Sequence, residues 1–174
     1  MDNTSNLGRL AGVKRTDRKS HCAVNFALET VGDPWSLLVV RDIVFYGKHA
    51  FGEFLTSEER ITTSVLADRL TRLVDTGILA KQRSQSDRRK EFYTLTDKGV
   101  ALIPILVELA NWGMSYDQEA RTNPLWIQKV RTDREGLCRL IRETVISGGA
   151  VFRGDNSVIE QIGAAQSSES LSRT

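Results

Sequence analysis

Three hydroxyl side chains stand in succession at Thr62, Thr63 and Ser64, with Arg69 and Arg72 following on the same short segment. A second basic group, Arg88, Arg89 and Lys90, lies downstream. Hydroxyls and free backbone amides at a helix start bind phosphate oxygens or base edges, and a guanidinium binds guanine or phosphate. The chemistry available is recognition of a polyanion, without bond breaking. Arg72 suits a guanine or a phosphate. Arg69 flanks an apolar stripe, which favours a phosphate contact or an ion pair with a carboxylate over base reading.

The elements that must position these groups are legible around them. Leu66, Leu70 and Leu73 recur at the spacing of one helix face, Thr62 or Thr63 stands where a cap belongs, and Gly77 where a left-handed residue ends a helix. Ser64, Ala67, Asp68, Thr71 and Arg72 point the other way. An ordinary amphipathic helix with a solvated face shares this pattern. The flanks decide against it. Upstream, Phe51-Gly-Glu-Phe-Leu predicts a short supporting helix, and Thr56 to Arg60 a polar turn. Downstream, Ile78 to Arg83 and Lys90 to Leu95 predict two strands, joined by the polar stretch Ser84 to Arg89. A helix, a turn, a second helix and a basic hairpin, in that order, form a winged helix-turn-helix, and its partner class is double-stranded DNA.

Charge follows the same map. The net charge of the chain is only +2, but residues 60–90 carry eight Lys/Arg against three Asp, and residues 22–59 carry two against six Asp/Glu. A basic stripe over the second helix and the wing is the footprint of phosphate contact. At 174 residues and 40% apolar, the chain holds one compact domain with extensions. No apolar run is expected to reach the length of a bilayer span and the N-terminus lacks a signal-peptide pattern, so a cytoplasmic protein with no membrane partner is expected. Cys22 and Cys138 are the two cysteines, His21 and His49 the two histidines, and none falls in a metal-ligand spacing. No cofactor or metal is expected. No paired carboxylates, phosphate-binding Gly-rich loop or Cys/His and Ser/His constellation supports an enzyme.

Residues 1–20 read as a flexible basic arm, and residues 21–113 as the DNA-binding domain. In that domain a helix over 22–31 is predicted to face inward with Val24, Ala27, Leu28 and Val31. Asp33 and Pro34 start a strongly apolar helix from Trp35 to Tyr46, with Trp35 as a core aromatic. A further helix beginning at Thr96 carries the stripe Leu102, Ile105, Leu106, Leu109 and Trp112, with a kink or restart at Pro104. So apolar a helix at the edge of a small domain suits pairing with a second copy of the chain. Residues 114–162 read as a helical extension, with a dimer or effector role open between them, and 163–174 as a disordered tail.

The chain resembles the HxlR family of bacterial winged helix-turn-helix regulators, relatives of the MarR group. The likeness runs from Cys22 to Gly113 and rests on Val31-Gly-Asp-Pro-Trp-Ser-Leu-Leu-Val-Val-Arg-Asp42, Gly47 to Phe54, Ile61 to Leu73, Asp75-Thr-Gly-Ile-Leu79, Tyr93 to Gly99 and Trp112-Gly113. Pro34 replaces the family's usual lysine, and Ala50 an arginine at the supporting helix, where Lys48 would substitute as a phosphate contact. The wing looks more like the MarR version. The resemblance implies a mainly α fold with a small hairpin wing, dimerising helices at its N- and C-terminal sides, and a homodimer on a pseudo-palindromic operator, open to control by a small-molecule effector.

Cys22 starts the first helix beside His21, and similar family members carry a cysteine there that in some of them senses oxidants or electrophiles. It is either a redox sensor or a small, partly buried hydrophobe of ordinary reactivity. The rival to DNA binding is a winged helix used only for protein contacts.

Overall fold

Gly32-Asp33-Pro34 separates two helices for local reasons. The computed structural model describes residues 20–83 and 91–171. Helix α1 (Ala23–Val31) ends at Gly32, and α2 (Pro34–Tyr46) begins with the Asp33 carboxylate accepting the Ser36 N–H at 3.0 Å. Pro34 occupies the first turn, where its missing N–H costs nothing. Helix α2 buries Ser36, Val39, Val40, Asp42, Ile43, Val44 and Phe45 and ends on Gly47 at φ 64°. It is the central helix of the molecule. Trp35 is half-buried against the core.

Helix α3 (Phe51–Phe54) and a turn through Arg60 lead into α4 (Thr63–Asp75), which buries Leu66, Leu70 and Leu73. Gly77, at φ 70°, ends α4. The N–H of Ile78 returns to Leu73 O at 2.9 Å, satisfying a last-turn carbonyl. Strand β1 (Leu79–Arg83) pairs antiparallel with β2 (Glu91–Leu95), in the register Leu79 to Leu95 and Lys81 to Tyr93. Tyr93 N also donates to His49 O at 2.8 Å, tying the hairpin to the start of α3. This is a winged helix-turn-helix, mostly helical with one two-stranded hairpin among the described residues.

Thr96 caps α5 (Asp97–Val100), and α6 (Ile103–Tyr116) restarts with Pro104 in its first turn. The restart falls where Pro104 was expected to place one, and it divides the stripe. Ile103, Leu106 and Val107 enter the core, while Ile105, Leu109, Trp112 and Tyr116 stay exposed. Asp97–Tyr116 also corrects the expectation of no span-length apolar stretch, since by length and composition it would suffice. Its inner face is nonetheless part of the common core. The inward face of α1 needs correction too: Val24 and Leu28 are 66% and 62% exposed, because α1 meets the core mainly through Val31 at its C-terminal end.

The chain after Gly113 joins the same core. Helices α7 (Pro124–Thr132), α8 (Arg134–Ile146) and α9 (Val158–Leu171) follow, with Asn123 and Asp133 capping the first two. Phe45 of α2 meets Trp126 and Phe152 edge to face, with centroids 5.3 and 5.6 Å away. The N–H groups of Val151 and Phe152 donate to Val44 O and Phe45 O at 3.0 and 2.9 Å. Residues 163–171, expected as a disordered tail, are helical. Their small residues lack a periodic signal because Val158 and Ile162, earlier on the helix, anchor it.

Candidate nucleic-acid interface

The second helix of the motif, α4, presents an open N-terminus. Thr62 is the cap residue, yet its side chain makes no capping bond; its Oγ1 lies 3.4 Å from Ser64 Oγ. Thr62, Thr63 and Ser64 are all exposed. The amides of the first turn, which have no intrahelical partner, therefore face outward with three hydroxyls beside them. That end of the helix can take a phosphate or an acceptor on a base edge. The sequence reading placed these three residues together, and the structure keeps them together.

The turn before α4 is held by a charge cluster. Asp42, almost fully buried, accepts from Lys48 Nζ at 3.0 Å and from Ser57 Oγ, and pairs with Arg41 at 2.6 Å. Arg41 also grips the Glu59 carboxylate. Burial disfavours the Arg41 cation, but the bonds to Glu59 and Asp42 outweigh it and raise its pKa. The Arg41 hydrogen bond, opposed by burial, holds Glu59 below the ordinary carboxylate value. Lys48 Nζ thus has two internal partners, Ser57 at 2.6 Å being the second, and the residue is 8% exposed. This overturns its expected role as a phosphate contact. A buried ammonium already bonded to a carboxylate has no reach to solvent.

Both arginines of α4 are turned toward the protein. Arg69 Nε donates to Asp33 Oδ1 at 2.8 Å, and its Nη1 pairs with Asp68. Of the two roles open to it, the structure displays the ion pair. Burial opposes ionisation of Asp33, but bonds from Ser36 and Arg69 outweigh it and lower its pKa. Arg72 Nη2 donates to the carbonyl of Glu29, so Arg72 is engaged with the last turn of α1 rather than projecting toward a groove. Lys98 Nζ meets Thr76 O at 2.6 Å, closing the other end of α4.

Arg88, Arg89 and Lys90 lie outside the described residues. On the described part of the hairpin, β1 has Lys81, Gln82 and Arg83 exposed, and Lys81 pairs with Glu91 at 2.8 Å. Cys22 is exposed at the cap position of α1, which removes the reading of a partly buried hydrophobe. Among the described residues no group of three or more His, Cys, Asp or Glu could hold a metal. Sequence reasoning missed Arg60, exposed one turn before α4 with φ 55°, and the partners Asp33, Ser57 and Glu59.

Comparison with known proteins identifies the family. The family described as HxlR-like helix-turn-helix matches residues 30–121. An uncharacterized HTH-type transcriptional regulator of Mycobacterium tuberculosis, Rv3095, is 36% identical over 94 residues, covering 54% of this chain and 58% of that protein. The chain thus spans little more than half the length of that relative. YybR of Bacillus subtilis, also named an HTH-type transcriptional regulator, is 33% identical over 101 residues, covering 56% of this chain and 77% of its own. Among solved structures, PA1607, described as a candidate transcription factor, superposes with a TM-score of 0.55 at 38% identity, over 60% of this chain and 74% of its own. A MarR-family regulator from Porphyromonas gingivalis W83 gives 0.50 at 25% identity, over 59% and 99%. These relatives are named as regulators, not enzymes. With more than half of its residues matched, the chain belongs to the HxlR-like helix-turn-helix family.

Proposed function

We propose that this protein is a homodimeric transcriptional regulator that binds a pseudo-palindromic DNA operator. The observation that carries the reading is the exposed, uncapped N-terminus of α4, set on a helix whose opposite face is locked into the core. Two such helices, related by a two-fold axis, enter successive major grooves one helical turn apart. Thr62, Thr63 and Ser64 contact phosphates or base edges, and Arg88, Arg89 and Lys90 of the wing contact backbone or minor groove.

The dimer is built from the outer faces of α1 and α6. Val24, Phe26 and Leu28 on α1 and Ile105, Leu109, Trp112 and Tyr116 on α6 are large, apolar and exposed. Apolar surface of this extent belongs against a partner of the same kind. An effector site fits the extension, where a groove of about 350 Å³ lies between α7 and α9, lined by Gln128, Lys129, Gln161 and Gln166.

The test is a salt titration of binding to genomic DNA fragments, alongside sedimentation. Steep loss of affinity with salt is expected, with a dimer at low micromolar concentration and a monomer for Leu109→Glu. Salt-insensitive binding, or none, would favour a protein-contact module. A wild-type monomer would remove the two-fold operator.

A further inference from the structure

The outward face of α4 is centred on a carboxylate. With Leu66, Leu70 and Leu73 buried, Asp68 points directly away from the core, flanked by Ser64 and Thr71, and its side chain is 68% exposed. Arg69 and Arg72, the cations of this helix, are occupied by Asp33 and by the Glu29 carbonyl. Helix α4 therefore meets DNA with hydroxyls, the Ala67 methyl and one acidic group near its N-terminal half.

An acid in a major groove is repelled by phosphates on both sides, so it needs a base-edge donor to be tolerated there. The groove offers two, cytosine N4–H and adenine N6–H. Adenine's donor is flanked by acceptors on both sides, N7 and the thymine O4. Cytosine's is flanked on one side by C5–H, which does not repel a carboxylate. Geometry also fixes the acceptor: Arg69 holds Asp68 Oδ2, and is itself held by Asp33, which caps α2. Asp68 Oδ1 takes no hydrogen bond from any described residue, on a side chain that is 68% exposed. A carboxylate braced through two helices does not lose its side-chain freedom anew on binding.

We propose that Asp68 is a specificity-determining residue that accepts a hydrogen bond from cytosine N4 in each operator half-site, with Arg69 as its positioning residue. The proposal rests on the DNA-binding reading above.

The experiment is selection from a pool of random duplex DNA, using the full-length wild type, Asp68→Ala and Asp68→Asn, each first checked for wild-type thermal unfolding. Wild type is expected to enrich half-sites with cytosine at one position. Asp68→Ala should lose preference at that position alone, and Asp68→Asn should shift it to adenine, whose N6 and N7 match an amide. Replacing that C·G pair by T·A should weaken wild-type binding about tenfold or more and Asp68→Ala less than about twofold. If Asp68→Ala selects the same bases at every position as wild type, the assignment is wrong while DNA binding stands. If wild type enriches no sequence at all, the DNA reading fails and this inference with it.

Discussion

Lys48 and Asp42 make the clearest case at the scale of single residues. The lysine sits where a family resemblance suggested a phosphate contact, but its ammonium is enclosed by Asp42 and Ser57. Removing one partner of a buried pair leaves the other charge poorly compensated, at a cost of about 3–5 kcal/mol. Because Asp42 keeps Arg41, Lys48→Met is expected to cost about 2–3 kcal/mol in urea unfolding, toward and below the lower end of that range. The salt slope of DNA binding should stay unchanged, whereas loss of a phosphate contact would lower it by about 0.9. A changed slope with unchanged stability would return Lys48 to the interface.

Glu59 of this cluster and Asp33 at the start of α2 together predict a pH response. Glu59 and Asp33 have folded-state values below their ordinary 4.5 and 3.8. A depressed carboxylate adds stability that is complete above its unfolded value and is lost as pH falls through the lower folded value. Stability should therefore drop from about pH 4.5 downward. Glu59→Gln should begin less stable and lose less over that range. Parallel acid limbs for variant and wild type would show that the Arg41 pair is not the source.

Among the elements, two glycines are used differently, Gly99 at the junction of the wing with α5 and Gly52 in the supporting helix α3. A Cβ at Gly99 would stand 2.3 Å from the Ile78 carbonyl, a backbone atom that cannot swing away. Gly99→Ala should therefore cost about 3 kcal/mol or more and displace β1, as overpacking of a fixed site does. Gly52, in α3, has nothing within 4 Å of its would-be Cβ. There alanine should be neutral or add up to about 1 kcal/mol through the unfolded chain. Urea midpoints of the two variants check the contrast; equal effects would mean that α5 shifts freely against β1.

For the whole molecule, the question is whether the residues beyond the family match form a separate unit. Trp126 and Phe152 pack on Phe45, and Val151 and Phe152 supply N–H groups to the last carbonyls of α2. Ending the chain at Ala120 would expose those aromatics' partner and orphan two carbonyls. The fragment 1–120 is expected to lose cooperative thermal unfolding or to melt far below the full chain. A fragment with the full chain's Tm would instead make the extension an independent module.

Periodicity, caps and glycine placement were enough to read the helix-turn-helix and its wing from sequence. Leu66, Leu70 and Leu73, the Asp33 cap, the restart at Pro104 and the stop at Gly77 are all local signals, each operating within one or two turns of chain. The Thr62-Thr63-Ser64 terminus was legible for the same reason. Local signals end where partners are distant. Nothing near Arg72 announces the Glu29 carbonyl, and nothing near Lys48 announces that Ser57 and Asp42 will close over it. The outer face of α1 has the composition of a core, and only packing decided that Val24 and Leu28 stay exposed. Helix α9 offers too few periodic residues to declare itself, and Val158 and Ile162 bury it against α7 and α8. Sequence determined most of the elements that form; tertiary structure decided which charges stay free, because Lys48, Arg69 and Arg72 find partners that lie far along the chain, at Ser57, Asp33 and Glu29.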